Sequence, residues 1–347
     1  MFDRIGHETA VFSTNPFLAD AEWNLQNLFD AANPSFDPTT GRLTRVRQTL
    51  TGRSEARRAC EAAYDWISDH DRWGVCVNLM DAHSPYVPVR GHNSGSWQSV
   101  LSPRTRGYGY GDDEDFSRND AEFRAMEALY DGCIQQADAA VGWLLERLAD
   151  TERMSDIHMV VTADHGEGFG EHNEVDGSPI SFHWDAVNEE NLHVPLYERP
   201  PGTEKSVTCD RLAALTRLPE AIDGNGFCVE RCTAEHLYGG NVTTTAEWAG
   251  ERARVLYEQQ GETIIKYVDD PRGTSVRCVH DGTDRGCAEE SDDTEVTSRA
   301  EAAVDIPPEN IRRRVRERFD SLSSAAARTD SRVVKPARQR LAELGYV

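Results

Sequence analysis

IHMVVTADHGEGFGEH, residues 157–172, joins an apolar run to a dense cluster of ionisable groups. Ile157, Met159, Val160 and Val161 are strand formers suited to a buried sheet position. Asp164, His165, Glu167, Glu171 and His172 follow, spaced by Gly166, Gly168 and Gly170. Glycine lets the backbone turn sharply and come close to a ligand. A buried strand that releases oxygen and imidazole donors into a Gly-rich loop is one way an α/β protein presents a metal or anion site. The plainer alternative is a solvated loop. Five ionisable groups between Asp164 and His172, directly at a strand end, weigh against it.

The pattern occurs twice. Residues 73–80, WGVCVNLM, read as a second buried strand that runs straight into Asp81-Ala82-His83. In a doubly wound sheet both strand ends open on one crevice. Between them lies the clearest helix of the chain, residues 120–149, with Asp120 able to cap it. Phe123, Met126, Tyr130, Cys133, Ala137, Val141, Leu144 and Leu148 recur at steps of three and four, which predicts one apolar stripe. Strand, helix, strand predicts a right-handed crossover and parallel pairing. His172 and His183 fall on the loop expected after the second strand. A single His is more often structural than functional, but four of them (His83, His165, His172, His183) after strand ends shift the balance. Asp with neutral His suits Ca²⁺, Mg²⁺, Mn²⁺ or Zn²⁺, and an oxygen-rich set favours the harder ions. Such an ion polarises an anionic ester oxygen while a nearby His gives or takes a proton.

Around this centre the pattern predicts a strand within 5–14, a short helix over 22–31 and a helix over 54–70. Tyr64 shares one face of the last with Cys60 and Ile67. Residues 90–118 read as a surface loop and 192–198 as a further strand closed by Pro200-Pro201-Gly202. From 206 onward the style changes. Residues 252–258 and 263–268 form a hairpin across Gly261, 275–280 add a third antiparallel strand, 281–295 form an acidic loop, and a helix starts near Pro307-Pro308. The expected organisation is a mixed α/β core over 1–205 and a smaller α+β subdomain over 206–347. Cys228, Cys232 and His236, with Cys278 and Cys287, could gather a soft metal. Their spacing matches no standard zinc pattern, and incidental thiols are the stronger reading.

The formal charge is −23, and only Lys205, Lys266 and Lys335 among 37 basic residues are lysines. That balance fits a halophilic surface, on which high salt screens self-repulsion. It excludes a nucleic-acid partner, which needs basic patches. With no apolar run of spanning length and no leader-like start, the expectation is a soluble cytoplasmic protein with reduced thiols.

VTADHGEGFGEH, together with VNLMDAHSPYVP, YDGCIQQADAAVGWLLERL, NLHVPLYERPPG and the ending RLAELGYV, resembles the sulfatase family of the alkaline-phosphatase-like superfamily. The blocks fall in the family's order and spacing, with the likeness weakening between 203 and 330. The resemblance implies an alkaline-phosphatase-type mixed sheet flanked by helices. It implies that Asp164 and His165 bind a catalytic divalent cation, Ca²⁺ foremost. His83 matches a His that contacts the sulfate or phosphate and assists departure of the leaving group. His183 falls where relatives place a Lys or His facing the same anion, and His172 matches an active-site loop His. Asp81 is expected to anchor its turn rather than touch substrate. The implied substrate is a small anionic ester, sulfated or phosphorylated.

The chain departs from the family in one respect. Relatives carry metal-binding aspartates on a first strand, followed by a nucleophilic Cys or Ser in C/S-x-P-x-R, or by a Thr or Ser in phosphatase-like members. None of the eight cysteines here has Pro two residues on and Arg four on. The opening IGHETAVFSTNPFL resembles the segment that follows that block, so the chain is expected to begin inside the family domain. Two expectations stand side by side: a sulfate-ester hydrolase impaired as written, and a non-catalytic remnant that binds an anion or a partner. A phosphodiesterase or phosphotransferase sharing the site is a third.

Overall fold

The computed structural model describes residues 6–13, 15, 29–33, 54–92, 119–151, 153–173, 175–183, 187–237, 251–280, 283–285 and 307–326. The chain divides into two compact units, Met1–Met154 and Ser155–Val347. The helix expected over 22–31 lies mostly outside the described residues, as do most of the 90–118 and 281–295 loops, Cys287 and the C-terminal block. Among the described residues no helix is long and apolar enough to cross a membrane.

The first unit holds a parallel sheet in the order β2-β1-β3: β1 (Glu8–Ser13), β2 (Ala31–Ala32) and β3 (Trp73–Asn78). Ala31, expected at the end of a helix, pairs with Ala10 instead. Just before it, the Asp30 carboxylate accepts from the Thr9 amide and hydroxyl, both at 2.8 Å. Those two hydrogen bonds hold its pKa below the usual carboxylate value. Helix α1 (Glu55–Ser68) starts where the Ser54 side chain accepts from the Arg57 amide. Its Ala63 packs with Ala10 and Phe12 of the sheet, while Ala56 and Cys60 face Ala140 of helix α2 (Asp120–Ala149).

Asn119 rather than Asp120 caps α2, because Asn119 and Glu122 satisfy each other's backbone amides in a capping box. Asp120 sits one step inside, where a carboxylate still favours the positive end of the helix. The buried face also differs from the apolar stripe. It runs through Leu129, Gly132, Gln136 and Ala140, with Tyr130, Ala137, Val141 and Leu144 only half-buried. A Cβ on Gly132 would meet the His92 carbonyl and lie 2.9 Å from Pro88 Cβ, so the bare glycine admits that segment. Gln136 is buried because its amide has two partners there, and a count of apolar residues cannot register it.

In the second unit β4 (Met159–Thr162) pairs antiparallel with β7 (Leu196–Arg199). This corrects the expected parallel pairing for this strand; parallel pairing occurs between β1 and β3. β4 is half-buried rather than fully buried. The Gly-rich stretch is not one loop: β5 (Gly168–His172) and β6 (Pro179–Phe182) form an antiparallel hairpin with an irregularity between Phe169 and His172. The short helix α3 (Glu189–Leu192) precedes β7, and α4 (Leu218–Ile222) follows it.

The remainder is a five-stranded antiparallel sheet, order β12-β11-β10-β9-β8. It comprises β8 (Arg231–Leu237), β9 (Arg252–Gln260), β10 (Thr263–Asp270), β11 (Gly273–His280) and β12 (Thr283–Arg285). Gly261, at φ +66°, makes the expected turn between β9 and β10. β8 forms where the sequence reading places no strand. Helix α5 (Pro308–Ala326) lays Ile311 and Val315 against Leu256, Ile265, Tyr267 and Val276. The opposite face buries Val255, Tyr257, Val268 and Val279 with Val187 and Leu212. Burial on both faces explains why Val255, Leu256 and Tyr257 of β9, and Tyr267 and Val268 of β10, are apolar at adjacent positions rather than alternating.

Lys266 is fully buried, with its Nζ 3.1 Å from Glu189 Oε1. Tyr257 donates its hydroxyl to the same oxygen at 2.5 Å. A buried charge needs such partners. The pair fastens α3 to the antiparallel sheet.

Candidate active site

β4 ends in Thr162, and the chain then exposes Asp164 and His165. Gly166 fixes where they emerge. Its amide donates to the Asn191 carbonyl at 2.9 Å, and a Cβ there would fall on the Glu190 carbonyl. The loop is thus seated on α3, which the Glu189–Lys266 pair holds to the sheet. Asp164 Oδ1 accepts from the His165 amide at 3.1 Å. His165 Nδ1 lies 2.7 Å from the Gly166 carbonyl. A carbonyl only accepts, so Nδ1 carries the proton and the neutral ring presents Nε2 as its lone-pair donor.

His183 is brought to the same place. Its ring centroid lies 4.3 Å from that of His165, with the planes 37° apart. Its Nδ1 donates to Glu167 Oε1 at 2.9 Å, and the Glu167 side chain is only 5% exposed. Phe182, immediately before it, has φ +61° and is buried. That conformation costs a non-glycine residue about 1–2 kcal/mol. The turn it makes ends β6 and redirects the chain at His183. Glu167 had no role in the sequence reading. Its only signal was a carboxylate inside the Gly-rich stretch, and the hairpin partner that makes it matter lies sixteen residues away.

His172 sits elsewhere on the hairpin, exposed, with Nδ1 3.2 Å from the Gly177 carbonyl. Glu171 is engaged locally, accepting from the Phe169 amide at 2.6 Å. In the first unit His83 is exposed past the end of β3, its Nδ1 donating to the Ser84 carbonyl at 2.6 Å. Asp81 faces the other way. It accepts from the Ala56 amide at 2.8 Å and from Gln136 Nε2 at 2.6 Å. Burial pushes its pKa up to about 6 against the opposing pull of those hydrogen bonds. It is an anchor for α1 and the turn.

The cysteine run does not assemble. Cys232 lies in β8 and packs against the sheet core, where burial raises its pKa to about 12. Cys228 faces Cys209 instead, at 3.5 Å between sulfurs. Among the described residues no three His, Cys, Asp or Glu side chains gather as a metal-holding group. Asp164 and His165 fit a divalent cation in donor type, a carboxylate oxygen and an unprotonated imidazole nitrogen, as two of its ligands.

The chain is 28% identical over 103 residues to arylsulfatase K of Gallus gallus, a match covering 29% of this chain and 18% of that relative. The phosphonate monoester hydrolase of Silicibacter pomeroyi shares the fold at a TM-score of 0.50 and 14% identity, over 82% of this chain and 62% of that one. A phosphonate monoester hydrolase of Agrobacterium radiobacter aligns at a TM-score of 0.46 and 16% identity, over 86% and 77% of the two chains. The sulfatase family model matches residues 23–219, more than half of the chain. By that match the chain belongs to the sulfatase family of the alkaline-phosphatase-like superfamily.

Proposed function

We propose that this chain carries the cation- and anion-facing part of a sulfuric-ester hydrolase whose substrate is a small sulfated molecule. The observation that carries this reading is the pairing of exposed Asp164 and His165 with a His183 oriented by the nearly buried Glu167. Members of the family generally use a divalent metal, and a bound cation, Ca²⁺ in this proposal, would supply charge stabilisation at the ester oxygens. The residues of the chain do the rest. Glu167 accepts the Nδ1 proton of His183 and so fixes the tautomer and orientation of the ring beside His165, where it would face a tetrahedral anion. His83 keeps Nδ1 on the Ser84 carbonyl, and its Nε2 would deliver a proton to a departing alcohol from the doubly protonated ring. Residues 1–205 act as the family core and 206–347 as a smaller subdomain.

The 347 residues contain no C/S-x-P-x-R sequence. Covalent catalysis of the family type needs that nucleophile, so the chain as written is expected to bind anionic esters with little or no turnover. The test is hydrolysis of p-nitrophenyl sulfate and p-nitrophenyl phosphate by the purified chain with and without added Ca²⁺, beside sulfate binding by calorimetry. Binding weakened at least tenfold by His183→Ala, without turnover, supports the reading. Metal-dependent turnover lost in His83→Ala would show that the chain is a competent enzyme. No anion binding at all would remove the site assignment.

A further inference from the structure

Cys209 and Cys228 lie in different segments of the second unit, 19 positions apart, yet their sulfurs meet at 3.5 Å. The approach is built by the backbone. Ala214 donates its amide to the Phe227 carbonyl at 3.2 Å, and Val229 to the Leu212 carbonyl at 2.9 Å. A bridge between Ala213 and Cys228 lies between these bonds. Leu212 and Phe227 are buried, so the crossing is anchored in the core. The segment before it is not: residues 204–211 are exposed and belong to no strand or helix, and Val207 is 86% exposed. Cys209 is exposed and Cys228 half-buried. Cys60, Cys133 and Cys278, by contrast, are buried within the fold.

We propose that Cys209 and Cys228 form a reversible disulfide that clips the segment leaving β7 to the strand entering the antiparallel sheet. A disulfide bond needs its sulfurs at about 2.0 Å, and the remaining distance is small for two side chains of which one is on an exposed segment. The co-reactant is a low-molecular-weight disulfide. Cys209 thiolate attacks one of its sulfurs, a mixed disulfide forms and one small thiolate leaves. Cys228 thiolate then attacks the Cys209 sulfur, closing the protein disulfide and releasing the second small thiolate. The two protein protons pass to solvent, the protein is oxidised by two electrons, and the small disulfide is reduced to two thiols. Cys209 is the entry thiol because it is the more exposed. Cys228 is the resolving thiol, with burial holding its pKa above the usual thiol value and Arg211 opposing that.

The clip encloses α4 within its loop and fixes both ends of the 209–228 stretch. β7, which leads into that stretch, is the partner of β4 and so of the strand that delivers Asp164 and His165. Closing a loop of this length in the unfolded chain raises Tm by roughly 5–10 °C.

The test equilibrates the full-length reduced protein with glutathione and glutathione disulfide at graded ratios, then reads thiol count, intact mass and the disulfide-linked peptides, followed by Tm. The expected result is loss of two thiols and two hydrogens, a Cys209–Cys228 linked peptide, and the Tm rise, all reversed by dithiothreitol. Cys228→Ser should accumulate the glutathione adduct on Cys209, and Cys209→Ser should leave Cys228 largely unmodified. A stable glutathione adduct on Cys209 in the unmutated chain would overturn the proposal, as would linkage of either cysteine to another partner. Tm equal in the oxidised chain and the Cys209→Ser/Cys228→Ser variant would overturn the clip while leaving the sulfatase-like reading untouched.

Discussion

The ends of β3 and β4 look alike in sequence and differ in the folded molecule. Each is an apolar strand followed by Asp and then His. Past β3 the aspartate turns inward: Asp81 is captured by the first turn of α1 and by Gln136 of α2, and only His83 remains outside. Past β4 both Asp164 and His165 stay exposed, and the backbone rather than the carboxylate holds the loop, through Gly166 to Asn191. A helix N-terminus beside the strand end decides the first case, because its unpaired amides are strong donors for a carboxylate. The short α3 beside β4 presents the Asn191 carbonyl and not an amide, so it takes the Gly166 N–H and leaves Asp164 exposed.

The largest effect that would break this comparison is predicted at Glu189. Glu189→Ala leaves Lys266 buried without its carboxylate, at a cost of about 3–5 kcal/mol in urea unfolding. It should also release α3, and hydrogen exchange at the Gly166 amide should speed markedly. Unchanged protection at Gly166 would mean that the β4 loop is held by something other than α3.

Next in size is the pH dependence at Asp81. Its folded pKa of about 6 lies above the unfolded carboxylate value. The native state therefore holds the extra proton, and ionisation works against folding. Its contribution is intact below pH about 4, and stability falls as pH rises from there through 6, by about 2–3 kcal/mol in total. Asp81→Asn should flatten that slope relative to the unmutated chain. It should also cost about 1 kcal/mol at low pH, because Gln136 Oε1 is committed to the Val89 amide and its NH₂ then faces another NH₂. A variant with the same slope would assign the pH effect to other carboxylates.

The smallest effect is at His83. Its exposed side chain bonds its neighbour's carbonyl, and its amide bond to the Met80 carbonyl survives truncation, so it should be replaceable by Ala with a stability change within about 0.5 kcal/mol. A larger loss would make His83 structural, and the two strand ends would then be alike after all.

Much of this was legible in the residues. The strand at 159–162, the capped helix at 120–149 and the β9–β10 hairpin across Gly261 follow from local periodicity and turn chemistry, which need no distant partner. The anchoring role of Asp81 was also expected. The hairpin formed by β5 and β6 was not, because five residues with two glycines and a bulge carry no alternation to read. β8 was hidden by charged residues on its outer face, where Glu235 pairs with Arg252 and Arg254 across the ladder.

The sequence by itself determined the family, the β4 strand and the long α2 helix before it, and which ionisable residues cluster after the strand ends. Only the tertiary structure decided which of them meet. It brought Glu167 to His183 and His183 to His165, set His172 apart on its hairpin, turned Asp81 inward and matched Cys209 with Cys228. The reason is physical. Local preference is set by neighbours within a turn or two, whereas these pairings depend on where long-range burial places whole elements, and no single stretch of chain encodes that.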